Sequence, residues 1–355
     1  MTPAQTLLAV LAEEGVDRVF GNPGTTELPI LEALAAAPGI EYVLGLHEGP
    51  VVAMADGYAR ATGRPAVASL HVAAGLANGV VGLLNARRSR VPLVVLAGQQ
   101  DRRHLAQDPM LAGDLVGIAA PAVKAAIQVE HAHDLGIQLR RAFALAVRPP
   151  AGPVFLSLPM DLFDDATAPL PARSTLVPPG PAPGLEAAAA RLAAAERPVI
   201  VAGDGVGRED AVAALATAAA RTGAAVYHQP LNDGVAFPTG HRLYAGMLPS
   251  VHTGIREMLA PHDVLLIVGC QAFTPHHYSP GSPIPDGLAV LQLDSDPAEP
   301  GRNFPVDLGL VGGIKDSLAA LAALLPDAPT PAGAGIAARF AAEHDHVYTT
   351  GDGPV

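Results

Sequence analysis

One carboxylate stands at the head of a soft run. Residues 46–63 read LHEGPVVAMADGYARATG, and Glu48 precedes a stretch rich in alanine and valine. A charge turned toward an apolar interior is costly unless it is paired or used. Two other residues able to do chemistry occupy comparable positions. Thr25 follows the short run DRVFG, Glu48 follows IEYVLGL, and His71 ends PAVASLH. If each run is a strand of an open parallel sheet, all three lie past consecutive carboxyl ends, where such sheets bind ligands. A hydroxyl, a carboxylate and an imidazole gathered there suit proton transfer at a small substrate. Each also has a purely structural reading: Thr25 as a helix cap, Glu48 as a first-turn acid favoured by the helix dipole, and His71 as a core histidine.

The other chemically suggestive stretches are weaker. GDGVG at 203–207 sits where a dinucleotide fingerprint would, but it lacks the G-x-G-x-x-G spacing and no acid closes the next strand, AAVYHQP. It reads as a glycine turn. HDH at 344–346 lacks a third fixed ligand and reads as solvated histidines. Ser157, in FLSLP, is on a buried strand rather than a G-x-S-x-G elbow, which argues against a serine hydrolase.

Alternating helix and strand signals position these residues. AQTLLAVLAEEG is an amphipathic helix closed by Gly15. Pro23 and Gly24 make a turn, and Thr25 or Thr26 can cap the helix after it. GPVVAMADGYARATG is a helix ended by Gly63, GLANGVVGLLNARRS is another, and PLVVLAG and GPVFLSLPMD are buried strands. The rhythm predicts an α/β fold with parallel sheets covered on both faces, a three-layer arrangement. Periodicity vanishes over the Pro-rich 164–184, an expected linker between a first domain, 1–163, and a second α/β domain, 185–325; 326–355 reads as linker and tail.

The bulk properties narrow the class. The chain has 355 residues, half of them hydrophobic, with 16% charged and a net charge of −12. That is a globular composition with no basic footprint for nucleic acid. The single cysteine, Cys270, excludes an internal disulfide framework and is compatible with a cytoplasmic location. The N-terminus lacks a basic n-region and meets Glu13 and Glu14 early, so it makes a poor signal peptide. Residues 65–86 are uncharged, but Pro65, His71, Asn78, Asn85 and several glycines favour a buried strand and helix over a membrane span.

At these residues the chain resembles the thiamin-diphosphate-dependent 2-oxo-acid decarboxylase superfamily. GNPGTTELP resembles its first loop, HEGPVVAMADGYARATG its glutamate-bearing helix, and AAGLANGVVGLLNARRSRVPLVVLAG its Gly-x-x-Asn helix and the following strand. Within the superfamily the benzoylformate decarboxylase branch is most similar, through the Leu-His before the Ala-Ala-Gly turn, Gly98-Gln99-Gln100, FPTGHRLYAGMLP and VGCQAFTPHHY. The resemblance implies a pyrimidine-binding domain followed by a Rossmann-like central domain. It implies that Glu48 hydrogen-bonds N1′ of the cofactor's aminopyrimidine and that Pro23, Gly24, Gly75 and Asn78 also contact the cofactor. His71 and His276 would relay protons, and Thr25 would hold the substrate carboxylate. It further implies Mg²⁺ with the diphosphate and a homodimer or tetramer with the site between subunits.

Two features depart from the pattern. The benzoylformate enzymes have Ser where this chain has Thr25, and the added methyl narrows the pocket. The family's third domain holds the diphosphate through Mg²⁺ with Gly-Asp-Gly-Ser and a later Asn, whereas Gly351-Asp352-Gly353 is followed here by Pro354. The expectation is therefore the first two domains only, with negligible decarboxylase activity in this chain alone. Two other readings stay open. One is an acetolactate-synthase-type carboligase, a branch that binds FAD and does not share the His71 and His276 pair. The other is a non-catalytic or partner subunit that keeps the fold.

Overall fold

The computed structural model describes residues 1–36, 39–274, 276–329, 338 and 342. The HDH and Gly351–Gly353 stretches lie outside the described residues. The chain divides into two compact units, 1–177 and 178–355, each taken by itself below.

In the first unit, α1 (Pro3–Glu13) opens with a reciprocal cap. Thr2 Oγ1 accepts from Gln5 N at 3.3 Å, and Gln5 Oε1 accepts from Thr2 N at 3.0 Å. There follow β1 (Arg18–Gly21), α2 (Leu28–Ala35), β2 (Glu41–Leu44), α3 (Glu48–Thr62), β3 (Ala66–Leu70), α4 (Val72–Arg88) and β4 (Leu93–Gln99). The unit continues with α5 (Leu115–Ala119), β5 (Ala125–Gln128), α6 (Ala132–Val147) and β6 (Val154–Pro159). The six strands form one sheet in the order β2-β1-β3-β4-β6-β5, and every pairing is parallel. Alternate strand residues serve opposite faces. Val67, Val94 and Leu156 pack with Leu7 and Leu11 of α1 and Leu135 and Leu139 of α6. Ala68, Val95 and Phe155 pack with Val51 and Ala55 of α3 and Leu76 and Leu83 of α4.

The strand order fixes where a ligand can sit. From β1 the chain steps to β2 on one side, then crosses back over β1 to β3 on the other. Such a switch opens a crevice outside the strand ends, and the loops after β1, β2 and β3 border it. Residues 165–184, where periodicity fails, hold no helix or strand. Their first part is nonetheless tied to unit 1: Thr6 Oγ1 donates to Ala168 O at 2.9 Å, and Arg140 Nε donates to Pro171 O at 3.3 Å.

The second unit comprises α7 (Leu185–Ala194), β7 (Pro198–Ala202), α8 (Asp204–Arg208), α9 (Val212–Thr222), β8 (Ala225–His228), β9 (Tyr244–Met247), α10 (His252–Leu259), β10 (Val264–Val268), β11 (Ala289–Asp294), β12 (Leu308–Val311) and α11 (Ile314–Leu324). Its parallel sheet has the order β12-β11-β10-β7-β8-β9. α7, α9 and α11 cover one face and α10 the other. No helix among the described residues is long and apolar enough to cross a membrane.

Candidate active site

Glu48 is the first residue of α3 and is only 8% exposed. His47 caps that helix, its Nδ1 accepting from Gly49 N at 3.1 Å. Two side-chain amides grip the carboxylate. Asn22, just after β1, donates through Nδ2 to Oε1 at 3.1 Å; Asn78, on α4, donates through Nδ2 to Oε2 at 3.0 Å. Gly75 lies one helical turn before Asn78 on the same face of α4. A Cβ at Gly75 would stand 2.9 Å from Glu48 Oε1, so only glycine leaves the carboxylate this position. Three consecutive strand-to-helix connections thus converge on one acid.

A second acid lies nearby. Glu27 closes a 3-10 turn, Thr25–Glu27, and its side chain is 3% exposed. Oε1 accepts from Thr26 Oγ1 at 2.6 Å and from Gly98 N, at the end of β4, at 3.0 Å. Oε2 accepts from Gly24 N at 2.8 Å and lies 2.8 Å from His71 Nδ1. Thr26 Oγ1 is also 3.2 Å from that nitrogen. The His71 ring lies against Gly24, where a Cβ would fall 2.2 Å from Cε1. The residue after His71, the fully buried Val72, has φ +48°. That left-handed conformation in a β-branched residue is a strain held by its surroundings, a feature that clusters at functional sites. Burial and then the Glu27 charge push the Tyr42 hydroxyl well above its ordinary range.

The structure therefore gathers Glu48, Gly75 and Asn78 in one cluster and His71 and Gly24 in another at the same sheet edge. Pro23 is half-buried in the loop between them. Thr25 is exposed, while its neighbour Thr26 is buried and takes the hydrogen-bonding place. Gly24, not a threonine, is the cap of the turn. His276 is exposed in the second unit, after β10, with Nδ1 3.0 Å from His277 Nε2. Sequence reasoning missed Asn22, Thr26 and Glu27. The only available signal for Glu27 was an acid three residues after a turn glycine, whose amide its carboxylate accepts from, and that spacing points to a helix start rather than to a histidine.

The remaining sequence candidates hold structural places. Ser157 is fully buried on β6, with Oγ donating to Gln128 Oε1 at 3.5 Å. At GDGVG, a Cβ on Gly203 would lie 2.4 Å from Gly269 O, so that turn is packed closely on the end of β10. Asp204 Oδ1 accepts from Asp233 N and Gly234 N, at 2.8 and 3.0 Å. Among the described residues no three His, Cys, Asp or Glu converge in a way that could hold a metal ion.

Comparison with known proteins bears on the family and the fold. Residues 1–118 match the thiamine pyrophosphate enzyme N-terminal TPP-binding domain, and residues 185–321 match the central domain of the same enzymes. Benzoylformate decarboxylase of Pseudomonas aeruginosa is 39% identical over 321 residues, covering 88% of this chain and 60% of the relative. Acetolactate synthase isozyme 3 large subunit of Escherichia coli is 31% identical, covering 92% of this chain and 58% of the relative. Among solved structures, the thiamine-diphosphate-dependent 4-hydroxybenzoylformate decarboxylase of Rhodococcus jostii superposes with a TM-score of 0.87 at 32% identity, covering 93% of this chain and 63% of that one. Benzoylformate decarboxylase of Polynucleobacter necessarius gives a TM-score of 0.86 at 30% identity, covering 91% and 61%. The chain thus spans about six-tenths of the length of these relatives.

Proposed function

Because the chain belongs to the thiamine pyrophosphate enzymes, carrying their N-terminal and central domains, we propose that it serves a thiamin-diphosphate-dependent decarboxylase that converts a benzoylformate-like 2-oxo acid to an aldehyde and CO2. The observation that carries this reading is the buried Glu48 carboxylate, gripped by Asn22 and Asn78 at the switch point of the sheet. These residues fit the pyrimidine end of the cofactor. Each carboxylate oxygen has room for more than one donor, and the bare Gly75 leaves a smooth wall beside Oε1.

When bound, thiamin diphosphate supplies a carbon nucleophile for the 2-oxo carbonyl and an electron sink for the departing carboxyl group. Glu48 would hold N1′ of the aminopyrimidine through a hydrogen bond. Pro23, Gly24, Gly75 and Asn78 shape the cofactor's wall. Thr25, exposed in the turn after β1, orients the substrate carboxylate. His71 and His276 give and take protons at the substrate oxygen and the product carbon. Mg²⁺ accompanies the diphosphate, with none of the described residues assigned as its ligands. The working form is a homodimer or tetramer.

The test uses protein made from the complete reading frame. CO2 release from benzoylformate should depend on thiamin diphosphate and fall by about 10²–10⁴-fold in Glu48→Gln. Near-wild-type turnover in the variant would sink the assigned role. The identity to acetolactate synthases supports a second reading, a carboligase. A yellow protein with flavin absorbance, condensing pyruvate without releasing an aldehyde, would select it.

A further inference from the structure

The buried Glu27 has no part in the roles above, yet it is one of the most completely hydrogen-bonded side chains at the site. We infer that Glu27 is a positioning residue that fixes His71 in the tautomer with hydrogen on Nδ1, so that Nε2 is the atom that exchanges protons with the substrate. A carboxylate accepts only. Oε1 receives the Thr26 hydroxyl and the Gly98 amide; Oε2 receives the Gly24 amide. The remaining neighbour is His71 Nδ1, 2.8 Å from Oε2.

If Nδ1 carried a lone pair, two acceptors would face each other at that distance inside a buried cluster, the arrangement such sites avoid. With hydrogen on Nδ1 every contact is satisfied. The Thr26 hydroxyl, having given its proton to Oε1, offers a lone pair to the same Nδ1–H at 3.2 Å. The partner of one ring nitrogen sets the state of the other, so the neutral ring presents Nε2 as a proton acceptor. Gly24 holds the ring from the side, since any side chain there would overlap it.

The inference rests on the proposed function only for what His71 does next; the tautomer itself needs neither cofactor nor turnover. It is tested by long-range proton–nitrogen NMR of histidine-labelled protein, above the pH at which the His71 ring loses its charge, with His71→Asn identifying the resonances. The expected result is a pyrrole-like Nδ1 and a pyridine-like Nε2. A pyridine-like Nδ1, or an averaged pair, overturns the inference in the wild-type protein alone. The variant Glu27→Gln adds an independent arm. Its amide must turn one NH2 toward either Gly98 N, which is buried, or Gly24 N, which is only partly so. The second costs less, and it aims a donor at Nδ1. The tautomer should therefore reverse to hydrogen on Nε2, and an unchanged Nδ1–H would overturn the role of Glu27. If Glu48→Gln keeps near-wild-type turnover while the tautomer is as stated, the proposed function fails and this inference stands. The opposite pair of results separates them the other way.

Discussion

Glu48 and Glu27 sit at the same edge of one sheet and differ in who holds them. Glu48 is held by two side-chain amides, from Asn22 and Asn78, while Glu27 receives two backbone amides and a hydroxyl. Side-chain donors can turn aside for a ligand; backbone donors at strand and turn ends cannot. That contrast fits the proposal that Glu48 is the acid that meets the cofactor, with Glu27 the fixed one. It also singles out Gly75, whose missing side chain leaves space at Oε1. Gly75→Ala should lower kcat/KM by about 100-fold, as a misplacement of roughly 1 Å does. The melting behaviour should barely change, because alanine's higher helix propensity, about 1 kcal/mol, offsets the crowding. Thermal denaturation beside turnover checks both halves, and a variant that merely unfolds would refute the local reading. Of these residues, Glu48 was legible in the sequence because a helix start displays it, whereas Gly75 and Asn78 were expected only through the resemblance of their helix to that of the family. Glu27 was not, since its environment is made by Gly98, 71 positions away, and His71, 44 away.

Elements were legible where they carry their own start and stop. α3 begins at Glu48 and stops at Gly63, which has φ +66° and nothing within 4 Å of where a Cβ would lie. The cost of a side chain there is therefore purely conformational, about 1 kcal/mol for alanine in the left-handed region. Gly63→Ala should lower the unfolding free energy measured by urea titration by that amount and leave turnover unchanged, because the site is at the opposite end of α3. Loss of activity in the folded variant would show that the far end of the helix feeds the site. The TTELP segment shows the other case. Thr25 and Thr26 have the right types to cap a helix, yet the turn is capped at Gly24, and Glu27 is drawn inward by donors from β3 and β4. No local pattern encodes that, because it depends on which strands lie side by side. Strand β5 likewise lacks a strong signature: its residues are all half-buried, at the sheet edge beyond β6.

At the scale of the whole chain, each unit has its own parallel sheet covered on both faces, so residues 1–177 should fold as a fragment with a cooperative transition. Its acid response follows from three aspartates. The Tyr58 hydroxyl and then the Arg64 guanidinium hold Asp17 below the usual range. Arg103 brings Asp101 down to about 2. Burial tends to raise Asp161, but hydrogen bonds from Arg102 outweigh it and leave it lowered. A carboxyl whose folded pKa is depressed contributes stability above its unfolded pKa, and that contribution is lost as pH falls through the folded value. All three contributions should be in place at about pH 6 and decline progressively toward about pH 1, with that of Asp101 the last to go, so the denaturant midpoint of the fragment should fall across that window. The second unit carries the opposite case. Burial raises Asp204 and Glu209, so these two favour the folded state more at low pH and less as pH rises past their unfolded values. Acid should thus weaken the fragment more than it weakens the second unit through these groups. A fragment midpoint that holds steady or rises on acidification would mean that the arginine partners of Asp17, Asp101 and Asp161 contribute nothing to stability, as many exposed ion pairs do not.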